Sequence, residues 1–120
     1  MNSRAVWRLK DMKQSISDVQ SLLAGKSLQE LRNDRPMKAA FERFLEILSE
    51  ASRQIPDEWK ADFPQIPWRQ ITDLGNFLRH GYDKVNLDVL WSIYQHDLDA
   101  LEHAVDTLLD RHQIPKQSES

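Results

Sequence analysis

The sequence predicts an all-α protein, an antiparallel four-helix bundle with a short extra helix. Three observations predict it. Apolar residues recur at spacings of three and four through long stretches, which is the period of one helix face. The two-residue alternation of half-buried strands is absent. Only three glycines occur in 120 residues, so breaks between helices must come mainly from caps and prolines.

Each element follows from local signals. Leu9, Met12, Ile16, Val19 and Leu23 paint one face of a first long helix. Asn2 or Ser3 can cap its start, and Gly25 can end it. Ser27 and Glu30 stand at capping-box spacing and open a short helical segment. A second long helix begins near Asp34, with Pro36 in its first turn. Its apolar face is Met37, Ala40, Phe41, Phe44, Leu45, Leu48 and Ala51, and Pro56 is expected to stop it. A short helical turn is expected at residues 57–61. Residues 63–68 read as a connector interrupted by Pro64 and Pro67, pinned to the core by Ile66 and Trp68. A third helix is expected over residues 67–79, then a loop over 81–86. Asn86 caps a fourth long helix with Leu90, Tyr94, Leu98, Leu101, Val105 and Leu108 inside, and Ile114-Pro115 ends it. Residues 1–115 form one domain, and the polar residues 116–120 are expected to be a disordered tail. Short connections between long amphipathic helices favour antiparallel neighbours.

Composition narrows the function classes. Hydrophobic residues make up 40% and charged residues 29% of the chain, enough for one core and not two. The formal net charge is -3, so any action on RNA needs a local basic cleft, not a basic protein. There are no cysteines, which excludes disulfides and thiolate metal sites. No apolar run approaches about 18 residues, and no apolar secretory segment is visible, so the expected location is the cytoplasm, away from membranes. His96, Asp99 and His103 can share a helix face, but exposed histidines on long helices are common; neither a metal site nor a cofactor is expected. The four tryptophans need no cofactor to explain them, and Trp7 and Trp59 are expected at a subunit contact. A helical bundle hosts many functions, and fold alone does not choose among them.

Several segments together carry a family resemblance: Ile66-Pro67-Trp68-Arg69, Asn76-Phe77-Leu78-Arg79-His80-Gly81-Tyr82, and Val85-Asn86-Leu87-Asp88-Val89-Leu90-Trp91 followed by Asp97-Leu98. The run from Arg43 to Ala51 also fits. With these, the sequence resembles the HepT-like family of the HEPN superfamily over roughly Arg4 to Leu109. The resemblance implies a helical homodimer and a metal-independent endoribonuclease acting on RNA as a toxin–antitoxin component. It also implies a nucleotidyltransferase antitoxin of the MntA type as partner, able to add AMP to a motif tyrosine. The family motif is an arginine, four residues, a histidine, any residue and a tyrosine. His80 matches the histidine and Tyr82 the tyrosine, while Gly75 stands where the arginine belongs.

Such RNA cleavage needs a base for the 2′-hydroxyl, an acid for the leaving oxygen and a cation for the charged phosphorane. A histidine suits the proton transfers because it titrates near neutrality. An arginine suits the phosphate because its fork of donors matches the oxygens. His80 is the acid–base candidate; as a lone histidine at a helix end it could equally be a dipole partner. Arg79 is the candidate phosphate ligand. It lies one helical turn after Gly75, and helical side chains lean toward the N-terminus, so it can reach back beside that position. A solvated arginine near a helix end is the alternative. Gly75 itself reads two ways: a close helix–helix approach, including one across a dimer axis, or the loss of an active-site arginine. Tyr82 is the candidate site of AMP addition, which would add bulk and negative charge beside His80; packing of the loop is the alternative. Arg43, Glu46 and Glu50 line one helix stripe, either a ladder of surface ion pairs or a border of the cleft. The leading expectation is an endoribonuclease. The alternative is a catalytically silent partner that regulates a nucleotidyltransferase, and a third reading is a scaffolding dimer.

Overall fold

The computed structural model describes residues 3–79 and 86–113. Every described element is helical. In chain order they are α1 (Ser3–Leu23), α2 (Leu28–Arg32), α3 (Arg35–Ser52), α4 (Asp57–Lys60), α5 (Trp68–Arg79), α6 (Leu87–Ser92) and α7 (Leu98–His112), with a wide π turn (Ile93–Asp97) joining the last two. The long helices α1, α3, α5 and the α6–α7 rod make the four-helix bundle, with α2 and α4 as short additions. α1 lies at the centre of the packing, with α3 on one side and α7 on the other, and α5 lies on the far side of α3.

The predicted caps form except at the start of α1, where Ser3 is already helical and Asn2 lies outside the described residues. Gly25 takes φ +73°, the left-handed conformation that closes α1 and that only glycine adopts at no steric cost. The Ser27 hydroxyl accepts from the Glu30 backbone N–H at 3.1 Å, and the Glu30 carboxylate accepts from the Ser27 N–H at 2.9 Å. The Asp34 carboxylate accepts from the Met37 N–H at 3.0 Å, and the Asn86 side chain accepts from the Asp88 N–H at 2.9 Å. α3 ends at Ser52, one turn before Pro56, which lacks the N–H to bond the Ser52 carbonyl and whose ring would crowd it.

The expected core residues are buried: Leu9, Met12, Ile16, Val19 and Leu23 of α1, Phe41, Leu45 and Leu48 of α3, and Leu98, Leu101, Val105 and Leu108 of α7. The fourth helix departs from its expected register. Ile93, not Tyr94, fills the core, and Tyr94 is half-buried. The next buried residue, Leu98, lies five positions after Ile93. In a regular helix five residues would swing Leu98 about 140° off the face of Ile93. The wide turn, in which the Leu98 N–H donates to the Ile93 carbonyl, returns it to the core. Trp59 is half-buried and stacks on His112 of the same chain, ring centroids 3.6 Å apart. Trp7 remains 64% exposed, with the Lys10 ammonium 4.7 Å over its ring.

A polar seam joins α1 to α7 beside the core. The Lys13 ammonium donates to Glu102 at 2.9 Å and to Asp106 at 3.1 Å, and the Gln20 amide donates to Glu102 at 3.1 Å. These bonds, Lys13 first and Gln20 second, hold the Glu102 carboxyl below its ordinary value. Glu102 and Asp106 raise the Lys13 ammonium above its own. A depressed carboxyl stabilises the fold fully above its unfolded-state pKa and loses that contribution as pH falls through the folded-state value. A raised ammonium contributes fully below its unfolded-state pKa and loses that as pH rises through the folded-state value. The seam is therefore complete at neutral pH. We expect the melting-temperature gap between the parent and Lys13→Met to hold steady from mildly acidic to mildly alkaline pH and to shrink below about pH 4. A gap that is the same at every pH would remove the seam as its source.

Candidate active site

The site is set by how closely α3 and α5 approach. Ser49 of α3 is fully buried, and its hydroxyl uses both of its capacities on the backbone of α5. It donates to the Thr72 carbonyl at 3.1 Å and accepts from the Gly75 N–H at 2.7 Å. Gly75 is buried against it. A Cβ at position 75 would stand 2.9 Å from Ser49 Oγ, 3.1 Å from Ser49 Cβ and 3.2 Å from Glu50 Oε2. Gly75 is thus the residue that lets two helices of one chain meet, and the approach is to α3 of the same chain. The position that carries the arginine in the family motif faces a neighbouring helix in this protein.

Arg79, in the last turn of α5, fills the space beside it. Its Nη1 donates to Glu50 Oε2 at 2.6 Å and its Nη2 to the Asn76 side-chain oxygen at 3.1 Å. Glu50 Oε2 is the same atom that lies 3.2 Å from the would-be Cβ of residue 75. The guanidinium therefore stands one carboxylate oxygen away from where a side chain at position 75 would begin. The backward lean of helical side chains brings this about, as the spacing of 75 and 79 led us to expect. Arg79 is 44% exposed along its side chain, open to solvent yet held at both ends of its fork.

Glu50 also lines a second feature. A hollow of about 220 Å³ runs between α1 and α3, bordered by Arg8, Asp11, Arg43, Glu50 and Gln54. Arg8 pairs with Asp11 at 3.1 Å and Arg43 with Glu46 at 3.0 Å. The stripe of Arg43, Glu46 and Glu50 is thus partly a surface ladder and partly a border, since Glu50 turns toward α5 instead of continuing the ladder. His80 and Tyr82, the acid–base and modification candidates, lie outside the described residues. They follow Arg79 directly in sequence.

Elsewhere, Leu74, Phe77, Val89 and Leu90 with Asn86 border an apolar hollow of about 60 Å³, where Phe77 and Val89 are 48% and 42% exposed. The wide turn opens a polar hollow of about 500 Å³ lined by Gln20, Tyr94, Gln95, His96, Leu98 and Asp99. His96 and Asp99 share it, whereas His103 does not line it. Among the described residues no group of three His, Cys, Asp or Glu side chains is placed to hold a metal ion. No described helix is long and apolar enough to cross a membrane. Ser49 is the site residue that the sequence reading missed. A buried serine in an apolar helix face is its only local signal, and that signal does not name Gly75 as the partner.

Comparison with known proteins gives this geometry its context. The model of the family described as ribonuclease HepT-like matches residues 12–108. A protein of Methanocaldococcus jannaschii named "Putative RNase MJ1380" is 32% identical over 98 residues, covering 82% of this chain and 90% of its own length. A protein of Thermococcus cleftensis named "Probable ribonuclease HepT" is 31% identical over 94 residues, covering 78% of this chain and 86% of its own. No solved structure matches the chain significantly. On the family match and on these two full-length relatives, the chain belongs to the ribonuclease HepT-like family.

Proposed function

We propose that this chain is the RNA-directed component of a toxin–antitoxin pair, a metal-independent endoribonuclease working as a cytoplasmic homodimer. Arg79 is the phosphate ligand, His80 the acid–base group, and Tyr82 the site where a partner nucleotidyltransferase of the MntA type adds AMP. The observation that carries the reading is the position of the Arg79 guanidinium beside Gly75, where the family motif calls for a cation. Relatives named as ribonucleases support RNA as the substrate.

In the proposed reaction the 2′-oxygen attacks the adjacent phosphorus as its proton is removed. The bond from phosphorus to the 5′-oxygen breaks, and that oxygen leaves with a proton. Histidine suits both proton transfers, while Arg79 stabilises the charge that accumulates on the phosphorane oxygens. A two-fold dimer through the exposed Phe77 and Val89 would bring two copies of this helix end together. In the proposed modification, the Tyr82 oxygen displaces pyrophosphate from ATP. The attached AMP then places a phosphate and a nucleoside beside the cleft, where both repel or obstruct RNA.

The test is incubation of the purified protein with tRNA and bulk RNA in EDTA, after an intact mass has established Tyr82 as unmodified. We expect cleavage by the parent. Arg79→Ala should reduce it about tenfold to a hundredfold, the worth of a charge-assisted contact. Arg79→Lys should retain part of it, because an ammonium supplies charge without the fork. Cleavage that is indifferent to Arg79→Ala would remove Arg79 from the mechanism.

A second reading has its own observation. Glu50 occupies the fork of Arg79, which suits a catalytically silent chain that binds and regulates a nucleotidyltransferase. It predicts no cleavage by the unmodified parent, together with a stable complex with that partner.

A further inference from the structure

Three facts about Glu50 belong together. Its Oε2 accepts from Arg79 Nη1 at 2.6 Å, and the other arm of that guanidinium is engaged by Asn76 at 3.1 Å. The carboxylate therefore competes with a phosphate oxygen for one arm of the Arg79 fork. Second, the Glu50 side chain is 44% exposed, so it can change rotamer without disturbing the core. Third, its helix borders a hollow of about 220 Å³ lined also by Arg8, Arg43 and Gln54. That hollow offers a second polar, cation-flanked seat on the other side of Glu50.

We propose that Glu50 is a displaceable carboxylate latch on Arg79. It holds the guanidinium preorganised beside Gly75 and moves toward Arg8 and Arg43 when a nucleic-acid phosphate takes its place. The inference rests on Arg79 being the phosphate ligand. Glu50 acts through Arg79 and is a positioning residue. The electrostatics favour an exchange over a third partner. A carboxylate and a phosphodiester held on one guanidinium repel each other, and the seat beside Arg8 and Arg43 takes Glu50 away from the phosphate, with Asp11 also on its border. Arg8 and Arg43 are themselves held by Asp11 and Glu46, so their donors are shared on Glu50's arrival rather than newly created. The cost of displacement is the worth of a solvent-screened ion pair, small enough for RNA to overcome.

The latch is tested by binding, separately from cleavage. The probe is a short fluorescent oligoribonucleotide with 2′-O-methyl groups, which removes the attacking hydroxyl. Full-length Glu50→Gln keeps the shape and removes the competing charge. It is expected to bind about three- to fivefold more tightly, the range an exposed ion pair can supply. In an Arg79→Ala background the same substitution should change nothing. Glu42→Gln, which removes one charge from the same helix away from Arg43, should change binding much less. In cleavage of ordinary RNA, Glu50→Gln should lower KM. Melting curves establish that each variant is folded, and Glu50→Ala serves the same test if Glu50→Gln folds poorly. Unchanged or weaker binding overturns the latch, as does an equal gain from Glu42→Gln or a gain that persists without Arg79. The two proposals fail separately. Tighter binding with no cleavage by any variant keeps the latch and removes the ribonuclease; cleavage by the parent with no effect of Glu50→Gln does the reverse.

Discussion

His80→Ala is expected to lower RNA cleavage in EDTA by about a hundredfold to ten-thousandfold, the contribution of one positioned acid–base group. The expectation follows from the chemistry the other residues leave undone. Arg79 can stabilise charge but cannot exchange a proton near neutrality, and the carboxylate nearest to it, Glu50, is occupied by its guanidinium. A histidine next to Arg79 in sequence is the group left to deprotonate the 2′-hydroxyl. Binding of the 2′-O-methyl probe should be much less affected than cleavage, because the phosphate contact belongs to Arg79. A rate that depends on pH as a bell in the parent and loses a limb in His80→Ala would fit the assignment. Equal cleavage by parent and variant, both with unmodified Tyr82, would sink it and favour the regulatory reading.

The fold was legible in the sequence wherever periodicity and caps act locally. Leu9 to Leu23, Phe41 to Leu48 and Leu98 to Leu108 lie on buried faces because three-and-four spacing has only one regular solution. The wide turn at Ile93–Asp97 escaped because Tyr94 continues the same spacing from Leu90 to Leu98. A helix without the turn therefore looked complete. Only the packing of Ile93 against the bundle decides between the two registers.

The site was legible in part. Arg79's reach toward position 75 follows from helix geometry within one element, and the structure has it. What Arg79 would meet there was not readable, because Glu50 belongs to a different helix and the α3–α5 register is a tertiary fact. Ser49 is the clearest case. Its hydroxyl accounts for the close approach at Gly75, yet nothing in the sequence joins positions 49 and 75.

That pairing governs the second large effect. Gly75→Arg restores the residue of the family motif and is expected to do harm. A Cβ at position 75 lies 2.9 Å from Ser49 Oγ and 3.1 Å from Ser49 Cβ, and Ser49 is fully buried and tied to α5 at two points. The helices must separate or Ser49 must give up its bonds. Overpacking of this kind costs about 1–3 kcal/mol, offset in part by the roughly 1 kcal/mol that glycine forfeits in a helix interior. The new guanidinium would also arrive beside that of Arg79, with Glu50 alone between them. We expect a lower melting temperature and RNA cleavage no faster than the parent's. Adding Ser49→Gly should recover much of the stability, since it clears the atoms nearest the new Cβ. A Gly75→Arg protein that melts with the parent and cleaves RNA faster would mean that α5 can turn position 75 toward the cleft. Arg79 would then be an accessory cation rather than the replacement for the missing one.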